Sequence, residues 1–150
     1  MKLLDNIIQN LLDKYVGGQV YFTALDKHIQ HKLISDKLFS ITSKNNIVIV
    51  SGGFGRFIKR IYPEKNILLL NGGLRHTKKI NLECIAEKIK NKDFIFIDDS
   101  YYLGRTRNVI RAEIERLKGN FKHTYVIYDG SKIKDKEITS LYRYHDKFIK

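Results

Sequence analysis

The pattern of hydrophobic and polar positions changes near residue 46. Before that point apolar residues recur at helical spacing, which predicts two amphipathic helices, the second with a capping box formed by Thr23 and Asp26. The apolar stripe of the first helix is Leu3, Leu4, Ile7, Ile8, Leu11 and Leu12, and that of the second is Leu25, Ile29, Leu33 and Leu38. A polar turn then ends this helical part of the chain.

After residue 46, short apolar runs alternate with amphipathic segments. The runs are Ile47–Val50, Ile67–Leu70, Phe94–Ile97 and Thr124–Tyr128. Because they are continuous rather than alternating, they predict strands buried on both faces. Strand–helix–strand repetition predicts an α/β fold with a parallel sheet flanked by helices. A last stripe, through Ile138, Leu141, Tyr142 and His145, predicts a C-terminal helix.

Length and composition indicate one globular domain covering residues 1–150, since a domain usually holds about 100–200 residues. Apolar runs of four residues are too short to span a bilayer. Cys84, the one cysteine, has no partner for an intramolecular disulfide, so a reducing, cytoplasmic location is expected. We expect Cys84 itself to be a small buried apolar residue.

The charge is unusual: 28 Lys and Arg against 16 Asp and Glu give +12. Nucleic acid, phosphorylated metabolites and anionic membranes are all partners of the right sign. Half of the excess, +6, lies between residues 47 and 93, which favours a phosphorylated small molecule over a membrane. Six cations of that segment can surround a polyphosphate: Arg56, Lys59, Arg60, Arg75, Lys78 and Lys79.

The residues that follow the four runs are polar and, in three cases, rich in glycine. Ligands of open α/β sheets bind beyond the carboxyl ends of the strands, so these segments are the candidate site. The segments are Ser51-Gly52-Gly53-Phe54-Gly55-Arg56, Asn71-Gly72-Gly73-Leu74-Arg75-His76, Asp98 to Thr106, and Asp129-Gly130-Ser131.

The third segment is the most specific. Two adjacent carboxylates at a strand end can face hydroxyl groups or a divalent metal, and the amides of the following helix N-terminus can hold a phosphate. With the run before it, the segment reads Phe-Ile-Phe-Ile-Asp-Asp-Ser-Tyr-Tyr-Leu-Gly-Arg-Thr over residues 94–106. It resembles the signature with which type I phosphoribosyltransferases bind phosphoribosyl pyrophosphate.

The resemblance implies roles for particular residues. Asp98 and Asp99 would contact the ribose hydroxyls, directly or through Mg²⁺, and Leu103, Gly104, Arg105 and Thr106 would hold the 5′-phosphate. Tyr102 would also bind substrate. Ser51, Gly52 and Gly53 would form the pyrophosphate-binding loop. Residues 71–80, with Arg75, would be the mobile loop, which makes Arg75, Asp98 and Asp99 the candidate catalytic residues.

The resemblance also implies an architecture and a reaction. Residues of about 46–131 would form the core, and the N-terminal helices in 1–45 and the C-terminal helix in 132–150 would form a small hood over the acceptor. Magnesium-bound phosphoribosyl pyrophosphate would pass ribose 5-phosphate to a nitrogen acceptor, in particular a nucleobase, in a homodimeric enzyme of nucleotide metabolism.

Two positions depart from the family pattern. Leu103 stands where the family usually has Thr, which removes a hydroxyl donor. Tyr102 stands where the purine-salvage branch has an acidic residue, which argues against a purine acceptor. Together with the charge of +12, they motivate a second hypothesis, a non-catalytic ligand sensor or RNA- or DNA-binding regulator.

Other site classes fit poorly. A P-loop ATPase would need Gly-x-x-x-x-Gly-Lys-Ser/Thr, which is absent, and a receiver domain would carry its acidic pair after the first core strand rather than the third. A dinucleotide fingerprint through Gly53 and Gly55 would need glycine at Ile58.

Overall fold

A computed structural model describes residues 32–70, 79–131 and 133–143. Within these ranges the helices are α1 (Lys32–Ser40), α2 (Gly52–Ile61), α3 (Ala86–Ile89) and α4 (Arg105–Arg116), with a 3₁₀ turn at Glu83–Ile85. The strands are β1 (Ile47–Ser51), β2 (Ile67–Leu70), β3 (Asp93–Tyr101), β4 (Asn120–Asp129) and β5 (Ile138–Arg143). The predicted first helix and residues 23–31 of the second lie outside the described residues. No helix in the described ranges is long and apolar enough to cross a membrane.

The five strands form one sheet in the order β2-β1-β3-β4-β5. Strand β1 pairs in parallel with both β2 and β3, with Ser51 opposite Leu70 and Ile49 opposite Phe96. The predicted α/β fold, a parallel sheet flanked by helices, is therefore confirmed. All four apolar runs are strands, and the helices predicted between them are present, although the one before β3 is reduced to the 3₁₀ turn and one turn of α-helix.

The described residues form two compact units, each built from several separate stretches of the chain. The first unit comprises residues 32–42, 99–103, 126–131 and 133–143, and the second comprises residues 43–70, 79–98 and 104–125. The single domain expected over residues 1–150 stays a prediction.

In the second unit, helices cover both faces of the sheet. Alternation along a strand places Ile49 and Phe96 on one face, where they form one core cluster with Ile110 and Ile114 of α4. The other face carries Val50 and Leu69, and α2 packs there. A Cβ on Gly55 of α2 would lie 2.9 Å from Leu69 Cδ1 and 3.0 Å from the carbonyl carbon of Val50, so only glycine permits this close approach.

In the first unit, α1 packs against β5. Ile34 and Leu38 are buried, and Lys37 Nζ lies 5.4 Å from the ring centroid of Tyr142. Leu33, assigned to the apolar stripe from its spacing, is instead 53% exposed. Ile34, one residue later, is buried instead. It shares a helix face with Leu38 because the two residues are about one turn apart.

The predicted C-terminal helix is wrong over Ile138–Arg143, which form strand β5. The two buried residues of this segment, Ile138 and Tyr142, are four positions apart. That spacing puts two side chains on one face of a helix and also on one face of a strand, so periodicity does not separate the two structures. The β-branched Ile138 and Thr139 and a place at the sheet edge favour the strand.

The expectation that Cys84 is buried is also wrong, since its thiol is free and exposed. Cys84 lies in the 3₁₀ turn Glu83–Ile85, which has no buried residue. The short helix that follows buries Ile89 instead, and Ile85 and Ala86 are partly buried against the same core cluster.

Candidate functional site

In the second unit, the carboxyl end of β1 lies beside Asp98 of β3. The paired positions Ile47 and Phe94, and Ile49 and Phe96, are each 47 residues apart, so Ser51 and Asp98 come two residues beyond the last pair on their strands. Ser51 is buried and Asp98 half-buried. By alternation Asp98 belongs to the face of the sheet that α4 covers. Two of the segments singled out in the sequence are thus brought together.

The acidic pair lies inside a strand and not in the loop after it. Strand β3 continues through Asp98, Asp99 and Ser100 to Tyr101, four residues beyond the apolar run. Consecutive strand residues point to opposite faces, so the two carboxylates are directed apart. Asp99 Oδ1 accepts a hydrogen bond of 2.8 Å from the backbone N–H of Ser100.

Helix α2 begins directly at the end of β1. Gly52 has a φ of 63°, in the left-handed region that glycine adopts without strain, and this turns the chain from the strand into the helix. Gly53 is exposed. The N-terminal cap, Ser51, makes no side-chain capping hydrogen bond, and Gly52 and Gly53 begin the first turn of α2, where backbone amides can bind an anion.

Helix α4 begins in a comparable way. Gly104, its N-terminal cap, is buried with a φ of 75°, and its carbonyl accepts the N–H of Asn108 at 2.9 Å. No side chain among the described residues caps this helix either. Arg105 is exposed and Thr106 half-buried. The second unit therefore presents two helix starts, each introduced by a glycine with positive φ, and the carboxylate of Asp98 on β3.

In the first unit, Tyr102 lies against the turn that follows β4. Its ring centroid is 6.4 Å from that of Tyr128, and a Cβ on Gly130 would come within 2.7 Å of Tyr102 Cδ1. The backbone N–H of Gly130 donates to the carbonyl of Tyr101 at 2.8 Å. Tyr102 is half-buried, whereas Leu103 beside it is 69% exposed.

Asp129, at the end of β4, is a buried carboxylate that the sequence did not identify as a site residue. Its Oδ1 accepts hydrogen bonds from the N–H and the hydroxyl of Ser131, at 2.9 and 2.6 Å. Arg143 Nε lies 3.7 Å from its Oδ2. The sequence signal for this group was the Asp129-Gly130-Ser131 segment at a strand end, but nothing in the sequence pointed to Arg143.

A second group missed from the sequence centres on Glu113 of α4, which is 3% exposed. The hydrogen bonds of Arg116, and then the backbone N–H of Leu82, lower the pKa of Glu113, although burial opposes the shift. A pocket of about 230 Å³ lies beside it, lined by Lys79, Ile80, Asn108, Val109, Ala112, Glu113 and Arg116. In the sequence Glu113 looks like any other polar position of an amphipathic helix.

The remaining predicted site features are placed as follows. Arg75 lies outside the described residues. Among the described residues, no group of three or more His, Cys, Asp or Glu side chains is arranged to hold a metal ion. Asp98 and Asp99, the candidate metal ligands, are both half-buried on β3.

No protein-family model matches this sequence, and no curated protein matches it. Solved structures match its fold. The adenine phosphoribosyltransferase from Thermoanaerobacter pseudethanolicus is 10% identical, with a TM-score of 0.53 over 75% of this chain and 81% of that one. A phosphoribosyltransferase from Corynebacterium diphtheriae is 10% identical, with a TM-score of 0.53 over 79% and 80%.

The adenine phosphoribosyltransferase from Leishmania donovani is 16% identical, with a TM-score of 0.52 over 96% of this chain and 80% of that one. Identities this low show the fold alone. The chain has the fold of the type I phosphoribosyltransferases.

Proposed function

We propose that this protein is a phosphoribosyltransferase that transfers ribose 5-phosphate from phosphoribosyl pyrophosphate to a nitrogen of a nucleobase and releases pyrophosphate. The observation that carries the proposal is the register of β1 and β3, which brings Asp98 of β3 beside Ser51 at the carboxyl end of β1. Groups suited to pyrophosphate and to ribose then lie next to each other.

Each part of the substrate has a matching feature. The uncapped amides at Gly52 and Gly53 suit pyrophosphate, and the first turn of α4, with the Thr106 hydroxyl, suits the 5′-phosphate. Asp98 suits the ribose hydroxyls as a hydrogen-bond acceptor. Because the negative charge of the leaving group grows as the C1–O bond breaks, fixed amides and cations around it lower the barrier.

The donor set fits Mg²⁺ that arrives with the substrate. Carboxylate oxygens are the ligands that Mg²⁺ prefers, and this ion is often held by one or two carboxylates and substrate phosphates. As the resemblance of the motif implies, we assign both carboxylates, Asp98 and Asp99, to the ribose hydroxyls, directly or through the ion. When bound, Mg²⁺ would neutralise charge on the pyrophosphate.

The acceptor is activated without a carboxylate at position 102. Tyr102 has a phenol in that place, and its ring packs against Gly130 and Tyr128. A phenol that carries its proton donates a hydrogen bond and does not replace a carboxylate as proton acceptor. Catalysis in this proposal therefore rests on positioning and electrostatic stabilisation, with the acceptor nitrogen attacking through its own lone pair.

The test is release of pyrophosphate by the purified protein with Mg²⁺, phosphoribosyl pyrophosphate and a panel of purine and pyrimidine bases. Asp98→Asn should abolish turnover and weaken binding of phosphoribosyl pyrophosphate. Asp93→Asn is the matched control, since it makes the same change at the exposed opposite end of β3, and it should leave both unchanged.

Absence of phosphoribosyl pyrophosphate binding in the unaltered protein would contradict the proposal. Salt-sensitive RNA or DNA binding in that case would favour the regulatory alternative. The homodimer and the nucleic-acid surface expected from the sequence stay predictions.

A further inference from the structure

Among the six cations that the sequence suggests as ligands of a polyphosphate, the described ones differ in the contacts that they make in the structure. Four of the six are described: Arg56, Lys59 and Arg60 on α2, and Lys79 before the 3₁₀ turn. All four are exposed, so their burial is alike and only their contacts distinguish them.

Three of the four are directed elsewhere. Lys59 Nζ donates to the backbone carbonyl of Ile67 at 3.3 Å, which ties it to the amino end of β2. The Arg60 guanidinium lies 5.8 Å from the ring centroid of Phe57. Lys79 lines the pocket beside α4 and helps to lower the pKa of Glu113.

Arg56 instead extends back toward the start of its own helix. A Cβ on Gly53 would lie 3.7 Å from Nη2 of Arg56. The guanidinium therefore lies beside the Gly52-Gly53 turn, on the side where Gly53 has no side chain.

The charges around Arg56 leave the guanidinium unneutralised. Helix α2, with the sequence GGFGRFIKRI, has no acidic residue. Arg56 forms no salt bridge with any described residue, whereas on α4 both Arg111 and Arg116 are paired with glutamates of the same helix. An exposed guanidinium beside uncapped amides is complementary to a phosphate group, which it can bind through two parallel N–H···O bonds.

We propose that Arg56 binds the pyrophosphate group of phosphoribosyl pyrophosphate and stabilises it as it leaves; this inference rests on the proposed function. In the transfer the C1–O bond breaks and its electron pair leaves with pyrophosphate, while the acceptor nitrogen bonds to C1 and its proton passes to solvent. Arg56 exchanges no proton and contributes fixed positive charge and hydrogen-bond donors.

The experiment compares Arg56→Gln with Arg60→Gln, a matched control one turn further along the same helix. The probes are inorganic pyrophosphate with Mg²⁺ and, separately, ribose 5-phosphate, each titrated calorimetrically. Arg56→Gln should raise the Kd of pyrophosphate about tenfold or more, the loss expected for a charge-assisted hydrogen bond, and leave that of ribose 5-phosphate unchanged. Arg60→Gln should change neither, and Arg56→Lys should fall between Gln and the native residue.

Two results would overturn the inference. If Arg56→Gln binds pyrophosphate as the unaltered protein does, Arg56 has no such role, and the transferase proposal stands on its own test. If Arg60→Gln weakens pyrophosphate binding as much as Arg56→Gln, the effect is general surface charge. Failure of the unaltered protein to bind either pyrophosphate or phosphoribosyl pyrophosphate would remove both proposals together.

Discussion

Glu113 Oε2 accepts a hydrogen bond of 2.6 Å from the backbone N–H of Leu82, 31 residues earlier in the chain. Arg116 donates to both oxygens of the same carboxylate, at 2.6 and 2.9 Å, and also reaches Glu83 at 2.8 Å. A buried carboxylate on α4 thus anchors the backbone at Leu82, directly before the 3₁₀ turn.

Glu113→Ala should lower the free energy of unfolding by about 2 kcal/mol, because hydrogen bonds to a charged group are lost and the Leu82 N–H is left without its acceptor. Urea unfolding measures the change. Glu115→Ala is the control on the same helix: its ion pair with Arg111 is exposed and should contribute about 0.5 kcal/mol or less. Equal losses in the two variants would show that the Leu82 contact adds nothing to stability.

The same carboxylate predicts a dependence of stability on pH. The hydrogen bond from Arg116 holds the pKa of Glu113 below its ordinary value of 4.5. A group whose pKa is lower in the folded protein stabilises it above the unfolded-state pKa, and the stabilisation is lost as the pH falls through the folded-state pKa. The stability difference between the unaltered protein and Glu113→Gln should be constant above about pH 5.5 and shrink below pH 4.5. A difference that stays constant down to acid pH would contradict the assignment.

Helix α4 ends at Arg116, and Gly119 follows three residues later. A glycine just after a helix is commonly its left-handed cap. However, the residue with left-handed backbone is Lys118, at a φ of 66°, and the N–H of Gly119 donates to the carbonyl of Ile114 at 2.9 Å. Glycine is required at 119 for packing, because a Cβ there would lie 2.8 Å from Ile114 Cγ2 and 2.9 Å from Ile89 Cγ2.

Substitutions at these two neighbouring positions should therefore act in opposite directions. Lys118→Gly places glycine, which adopts a left-handed backbone without strain, where lysine is strained. It should raise the free energy of unfolding by about 1 kcal/mol. Gly119→Ala forces a methyl group into Ile89 and Ile114 and should lower it by about 1–3 kcal/mol. Chemical denaturation of both variants measures the two changes. A loss of stability in Lys118→Gly would mean that the lysine backbone is not strained.

The sequence predicted what depends on local pattern and not what depends on distant partners. Continuous apolar runs identified four strands, and the motif at residues 94–106 identified the fold. The strand at Ile138–Arg143 was predicted as a helix because its two buried residues suit both periods, and only pairing with the sheet distinguishes them. The anchor between Glu113 and Leu82 joins residues far apart in the chain, so no spacing rule could reveal it.

The features of the candidate site were likewise predicted only where they depend on local sequence. The glycines at 52 and 104 were predicted to lie at ligand-binding turns, and both have positive φ. The direction of the acidic pair was not predicted, because the polar residues 98–101 gave no sign that β3 continues through them. Nor could composition separate Arg56 from Lys59 and Arg60, since the difference lies in which neighbour each side chain meets.

Leu103→Thr should strengthen binding of phosphoribosyl pyrophosphate. The residue directly precedes the Gly104 cap of α4, and the family signature that the chain resembles has a hydroxyl there. Because the Leu103 side chain is 69% exposed, its removal should not change the thermal midpoint. One added hydrogen bond to a phosphate contributes about 1 kcal/mol or more, so the Kd should fall about fivefold or more. Ile133→Thr makes a similar exchange at an exposed position outside the motif and should leave the Kd unchanged. An unchanged Kd in Leu103→Thr would mean that the 5′-phosphate does not lie at this turn, which would count against the assignment of Gly104, Arg105 and Thr106 as its binding site.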